Sequence, residues 1–128
     1  MKHIKKLFGF TLLELLVVIG IIAILVSLGA VSYGTAQKKA RDAKRKGDLQ
    51  ALQKALEQCY SVNTYSYPAI SGNGTTSVSV DCTAQGGPSL TITDPTTKTY
   101  TVTGGSGITY QVQLQLEDGT TYSISEQQ

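Results

Sequence analysis

Gly9-Phe10-Thr11-Leu12-Leu13-Glu14-Leu15-Leu16-Val17-Val18-Ile19-Gly20 decides how the rest of the chain is read. After Glu14 no charged residue occurs until Lys38. At about 1.5 Å per residue, a helix over 15–37 is long enough to cross a hydrocarbon layer about 30 Å thick. An ionised side chain inside such a span costs about 3 kcal/mol or more. An acid at its lip therefore calls for a partner, and 15–37 holds no Arg or Lys to supply one. Upstream lies a short basic leader, Met1 to Phe8, with Lys2, Lys5 and Lys6. An ordinary secretory signal has a shorter apolar core and a small-residue exit, whereas this core is longer, begins at an acid, and offers only weak small-residue sites near Ala30. A plain signal anchor explains the span, and snorkelling of Glu14 to the headgroups explains the acid. Neither explains the Gly9-Phe10 junction.

Along the span, Gly20, Ala23, Ser27, Ala30 and Gly34 recur at spacings of three and four. They fall on one helical stripe, where a second helix can approach closely and dispersion drives association. Further on the pattern becomes amphipathic: Leu49, Leu52, Leu56 and Cys59 with Tyr60 share a face. Asp42 with Lys46, and Lys44 with Asp48, lie four apart and are expected to pair on the exposed side. The spacing predicts one continuous helix from Phe10 to about Tyr60, about 75 Å long. Asn63, the Ser/Tyr-rich turn after it and Pro68 supply its stop.

Basic leader, Gly9-Phe10, Thr-Leu-Leu-Glu14 and the long apolar run together resemble the class III signal of type IV pilins and the related pseudopilins. The resemblance implies that a prepilin peptidase cuts between Gly9 and Phe10 on the cytoplasmic side and N-methylates the new Phe10 amine. It also implies that Glu14, the fifth mature residue, meets the Phe10 amine of a neighbouring subunit. Two charges about 4 Å apart in a poorly hydrated bundle attract by several kcal/mol before desolvation is subtracted, so the pair fixes axial register even where its net stabilisation is small. The implied assembly is a homo-oligomeric helical filament with a core of packed N-terminal helices, built by a platform protein and an ATPase. Before assembly the subunit would be stored among lipids of the cytoplasmic (inner) membrane as a single-pass protein with its C-terminal head outside; afterwards it would belong to an extracellular filament. Many pilins carry a proline midway through this helix; here Val31 stands near that place, and Gly20, Gly29 and Gly34 are the weak points, each costing about 1 kcal/mol against alanine. The implied organisation is a removed leader at 1–9, a transmembrane and assembly helix at 10–37, and a head domain at 38–128.

The net charge of +2 belongs to the leader: without Lys2, Lys5 and Lys6, eight basic side chains stand against nine acidic ones, a balance of −1. After the span come Lys38, Lys39, Arg41, Lys44, Arg45 and Lys46, and the positive-inside rule alone would place that side in the cytoplasm. The processing signal and the two cysteines favour the opposite orientation. This basic run suits headgroup attraction, pairing with Asp94, Glu117 or Asp118 of a neighbouring subunit, or nucleic acid. No aromatic residue is interleaved with these charges between Tyr33 and Tyr60, which argues against nucleic acid.

Ala69 to Pro88 is rich in Gly, Ser and Thr and reads as a loop with one short strand, Ser77 to Asp81. Cys59 and Cys82 are the two cysteines, and an even count in an extracytoplasmic head makes a disulfide the default. Lys98 to Thr103 alternates, and Ile108, Tyr110, Val112, Leu114 and Leu116 share one face opposite Thr109, Gln111, Gln113 and Gln115. A two-residue loop at Asp118-Gly119 would set Leu114 against Ser123 and misalign the apolar faces. A three-residue loop, Glu117-Asp118-Gly119 with Gly119 left-handed, sets Leu114 against Tyr122 and Val112 against Ile124. The expected fold is therefore α+β, a long N-terminal helix whose second half packs on a small antiparallel sheet around Leu49, Leu52 and Leu56.

Catalytic chemistry finds no constellation: His3 is the one histidine, in the leader, and the scattered acids form no recognisable pair. No metal-ligand spacing is present and no cofactor is expected; Asp81, Asp94, Glu117 and Asp118 are explained by turn chemistry rather than by calcium. Asn73-Gly74-Thr75 is formally a glycosylation sequon and marks an exposed loop. The function expected first is a structural subunit of a type IV pilus-like filament for adhesion, motility or DNA uptake. The second is a pseudopilin of a type II secretion or competence system, ranked lower because no Gly-Leu-x-x-Leu passage follows Tyr67-Pro68. A membrane-anchored extracytoplasmic binding domain, which would keep its leader, is the third.

Overall fold

A computed structural model describes residues 9–127, so the leader lysines and His3 lie outside the described residues. In chain order these residues form α1 (Leu12–Val62), β1 (Ser77–Asp81), a 3-10 turn (Thr83–Gln85), β2 (Ser89–Thr93), β3 (Tyr100–Gly104), β4 (Tyr110–Gln115) and β5 (Thr121–Ser125). They divide into two compact units, one ending at Gln37 and one running Lys38–Gln128.

The first unit is helix with no tertiary cover: from Leu12 to Val31 its large apolar side chains all face outward. Its first turn is closed by the sequence itself. Thr11 is the N-cap, its Oγ1 accepting the Glu14 N–H at 3.2 Å, while Glu14 Oε2 accepts the Thr11 N–H at 2.8 Å and its hydroxyl at 2.9 Å. This reciprocal capping box satisfies two donors that a helix start otherwise leaves open.

In the second unit, α1 ends two residues beyond the expected Tyr60. Tyr65 N–H reaches back to the Tyr60 carbonyl at 3.1 Å, and Thr64 (φ 52°) and Tyr65 (φ 57°) take the left-handed conformation that glycine usually supplies in such a stop. Asn63 adds a side-chain bond to the Ser66 carbonyl at 2.9 Å. The inward face of this half of the helix carries Arg45, Leu49, Leu52, Ala55, Leu56 and Cys59. These apolar residues pack against Val78, Val80 and Ile92 from one sheet and Tyr100, Tyr110, Val112, Leu114 and Ile124 from another. Cys59 and Cys82 are joined by a disulfide, Cα–Cα 5.9 Å, which ties the end of the helix to the loop after β1.

The α+β fold expected, a long helix on antiparallel β structure, is the one observed, with the β structure divided between two sheets: β1 pairs antiparallel with β2 (Val78 opposite Ile92), and β3-β4-β5 form a separate antiparallel meander. The stretch after Pro88 opens with β2, whose Leu90 and Ile92 complete the first sheet. The β4-β5 hairpin has the register argued from the alternation: Leu114 faces Tyr122, Val112 faces Ile124, and Gly119 (φ 86°) closes the three-residue loop. Ile108, whose spacing puts it on the buried face with Tyr110, is instead 65% exposed. Strand β4 begins only at Tyr110, because Gly104, Gly105 and Gly107, all at positive φ, carry the chain round a turn in which the period-two alternation does not hold. Lys98 likewise precedes its strand; its backbone N–H donates to Asp94 Oδ2 at 3.2 Å.

Candidate functional site

The residues named for processing and assembly sit together at the start of α1. Gly9 and Phe10 are exposed and precede the helix. Thr11 and Glu14 form the capping box. Glu14 engages Thr11 through Oε2, and among the described residues Oε1 makes no bond. The box thus orients the carboxylate yet leaves one of its oxygens for another donor.

Gly20, Ala23, Ser27, Ala30 and Gly34 fall within an arc of about 80° at 100° per residue, and every one is exposed. A Cβ added at Gly20 or Gly34 would meet nothing within 4 Å. Ser27 returns its hydroxyl to the Ile24 carbonyl at 2.8 Å, so the stripe's one polar side chain is satisfied locally. Helix α1 contains a stretch long and apolar enough to cross a membrane.

The basic run departs from expectation. Neither Asp42–Lys46 nor Lys44–Asp48 is among the ion pairs of the described residues; Asp42 Oδ1 instead accepts from Arg45 Nη1 at 2.8 Å. Its carboxylate also accepts the Glu117 N–H, at 3.0 Å to Oδ1. Arg45 is wholly buried and spans three acids: Asp94 (Nε to Oδ1, 2.6 Å), Asp42, and Glu117 (Nη1 to Oε1, 3.1 Å), with Thr96 Oγ1 at 2.8 Å completing its donors. Arg41 adds a second bond to Glu117 Oε1, 3.1 Å. Asp94 and Glu117, two of the acids assigned to a neighbouring subunit, are therefore engaged within their own chain. The third, Asp118, accepts the backbone and hydroxyl donors of Thr120 in the hairpin turn.

Burial alone would raise the Asp94 carboxyl, but the bonds it receives from Arg45, Thr96 and Lys98 outweigh it and hold the group at about 2. Arg45 is driven further into its charged form, chiefly by Asp94. The signal for this clamp was present in the sequence: Arg45 lies four residues before Leu49, so it extends the buried spacing Leu49, Leu52, Leu56, Cys59, and only its place inside a basic run concealed it.

A second polar centre is built on Glu57. Its carboxylate accepts the hydroxyls of Tyr67 (2.9 and 3.0 Å) and Tyr110 (3.2 Å) and the Gln127 N–H (3.2 Å). The rings of Tyr67 and Tyr110 meet edge to face, centroids 4.7 Å apart. Burial first and Glu57 second push both phenols well above the usual tyrosine range. The acids considered for calcium are likewise occupied, Asp81 by Thr83 and the others as described. No group of three or more potential metal ligands occurs among the described residues.

Residues 5–30 match the family model of the prokaryotic N-terminal methylation motif. The chain is similar to the type II secretion system core protein G of Escherichia coli (strain K12), 40% identical over 68 residues that make up 53% of this chain and 46% of that protein. It thus spans about half the length of the curated relative it matches. No solved structure matches.

Proposed function

We propose, for a chain that carries the prepilin-type N-terminal methylation signal of the type IV pilin and pseudopilin family, the role of a pseudopilin, a structural core subunit of a type II secretion apparatus. The observation that carries this is the 40% identity to a secretion core protein over 68 residues, a length well beyond the motif itself. The surface-pilus reading, placed first on the missing Gly-Leu-x-x-Leu passage, therefore yields to the second reading.

In this account prepilin peptidase cuts after Gly9, and the new Phe10 amine is methylated. The subunit waits in the membrane through its apolar helix, with its head outside. Thr11 holds Glu14 in a fixed rotamer, and the free Oε1 receives the Phe10 ammonium of a neighbour without loss of the box. The small-residue stripe from Gly20 to Gly34 then lets helices close on one another, where contact area rather than water exclusion stabilises the bundle. The clamp around Arg45 and the Cys59–Cys82 bridge keep the head folded on its half of the helix while the subunit leaves the membrane.

Deletion of the gene in the native host tests this. Loss of export of extracellular proteins with intact surface pili is the expected result. Lost pili with normal export would return the chain to the pilus reading, and no effect on either would leave it as an anchored binding domain.

A further inference from the structure

Within 38–46 the structure sorts arginine from lysine. Arg41 and Arg45 are both spent on carboxylates, whereas Lys38, Lys39, Lys44 and Lys46 are exposed and form no ion pair among the described residues. The sorting follows from the side chains: a planar guanidinium suits a fixed site of several acids, and a lysine keeps its charge at the end of a flexible four-carbon stem. Lys46 Nζ lies 5.8 Å from the centroid of the Tyr122 ring, a contact that leaves its charge without a counter-ion. At 100° per residue, Lys38, Lys39, Lys44 and Lys46 lie at about 0°, 100°, 240° and 80° round the axis of α1, within about 12 Å of its length. They form a ring rather than a stripe, and the ring begins at Lys38, where the uncharged run 15–37 ends. The chain itself offers this ring little negative charge. Of its nine acids, Asp48 alone accepts no hydrogen bond among the described residues.

We propose that this lysine ring binds the phosphates of anionic membrane lipids, phosphatidylglycerol being the type, in the leaflet on the head's side. The proposal rests on the reading of 15–37 as a membrane span and not on the secretion reading. Three observations select the occupant. The free cations start at the residue where the apolar run stops, which is the level at which a spanning helix meets headgroups. They are spread round the helix, so charges that surround it, as headgroups do, can meet all of them, whereas a nucleic-acid strand or a partner protein meets one side. A second copy of the chain would bring acids that are already engaged at home, Asp48 excepted. Lysine stems can also lean along the axis toward the interface while their apolar methylenes stay on the helix. The ring thereby fixes the depth of the unassembled subunit, and these contacts must break when it leaves the membrane. The clamp sharpens this role: by taking up Arg41 and Arg45, the folded head leaves only lysines to the lipid.

The test reconstitutes the full-length chain in vesicles of equal parts phosphatidylglycerol and phosphatidylcholine, with Lys2→Gln/Lys5→Gln/Lys6→Gln in every sample so that the leader contributes no charge. Electron paramagnetic resonance of spin-labelled lipids gives the association of phosphatidylglycerol relative to phosphatidylcholine. A preference of at least about threefold is expected at low salt, falling toward one as about 0.5 M NaCl shortens the screening length. It should also fall toward one in Lys38→Gln/Lys39→Gln/Lys44→Gln/Lys46→Gln, with the near-ultraviolet dichroism of the head unchanged, because all four side chains are exposed. The corresponding four Lys→Arg changes should keep the preference. So should Lys54→Gln, which removes an exposed cation about 24 Å further along the helix. No preference in the parent chain, a preference that survives the four glutamines, or one that Lys54→Gln removes equally would overturn the proposal. Cross-linking between subunits that the four glutamines abolish while the lipid preference stays would give the ring to a second copy of the chain. Protein that fails to float with the vesicles would refute the span itself, and the lipid ring with it, while leaving the secretion reading to its own gene-deletion test.

Discussion

Replacing Arg45 by methionine probes the least expected feature of the head. The guanidinium makes five hydrogen bonds, two of them to Asp94, whose side chain is as fully buried as its own. Removing one partner of a buried pair typically costs about 3–5 kcal/mol, because the surviving charge is left in a poorly solvated place. Methionine fills the stem's volume, so the loss is electrostatic rather than a cavity. In Arg45→Met the survivor is the Asp94 carboxylate, although the Thr96 and Lys98 N–H groups still reach it at 2.7 and 3.2 Å. Asp94→Asn keeps an oxygen for those turn donors and deletes the charge. Arg45→Met/Asp94→Asn should therefore be more stable than Arg45→Met alone, with a coupling of about 1–3 kcal/mol. The assay is chemical unfolding of the full-length protein in detergent, followed by near-ultraviolet dichroism of buried Tyr67, Tyr100 and Tyr110. A loss under about 1 kcal/mol in Arg45→Met, or a double variant whose loss equals the sum of the singles, would refute the clamp.

Four further outcomes follow from the same geometry. Because Asp94 is held at about 2, below its ordinary 3.8, its stabilisation is complete above about pH 4 and disappears as pH falls through 2; the wild type should lose stability over that window and Asp94→Asn should not, as read by unfolding midpoints. Burial, then the charges of Asp94 and Asp48, push the Tyr100 phenol up to about 12, so stability is full below pH 10 and lost as pH rises toward 12; tyrosinate absorbance should show buried rings ionising together with unfolding. Cys59→Ala/Cys82→Ala opens a bridge of sequence separation 23 and should cost about 3 kcal/mol in the same unfolding assay, with unchanged secondary structure by circular dichroism. Glu14→Ala should leave cleavage at Gly9 largely intact while filament cross-linking between subunits falls severalfold; normal cross-linking would remove Glu14 from assembly.

The helix was legible because its two halves carry different but uninterrupted patterns, and the β4-β5 register because alternation and Gly119 allowed only one loop length to align both apolar faces. Strand β2 was not, since Ser89–Thr93 offers two apolar residues, Leu90 and Ile92, in a polar surround, and that is too little to distinguish a strand from a loop. Ile108 misled for the opposite reason: its spacing continues the strand pattern, but three glycines at positive φ turn the backbone before the pattern can be used. Arg45 was hidden by its neighbours in the basic run. A lone basic residue at a core-facing position draws suspicion, whereas one among six reads as solvated surface until long-range partners such as Asp94, 49 residues away, are placed beside it. The capping box was nearly readable, because Thr11-x-x-Glu14 is itself a helix-start signature.

The central claim is that this polypeptide becomes a subunit only once its amine is created at Phe10. Intact-mass analysis of the chain purified from native membranes tests that most directly. The account predicts a chain whose first residue is Phe10, carrying one added methyl group on the terminal nitrogen. A chain that still begins at Met1, or one cut anywhere other than after Gly9, would contradict it.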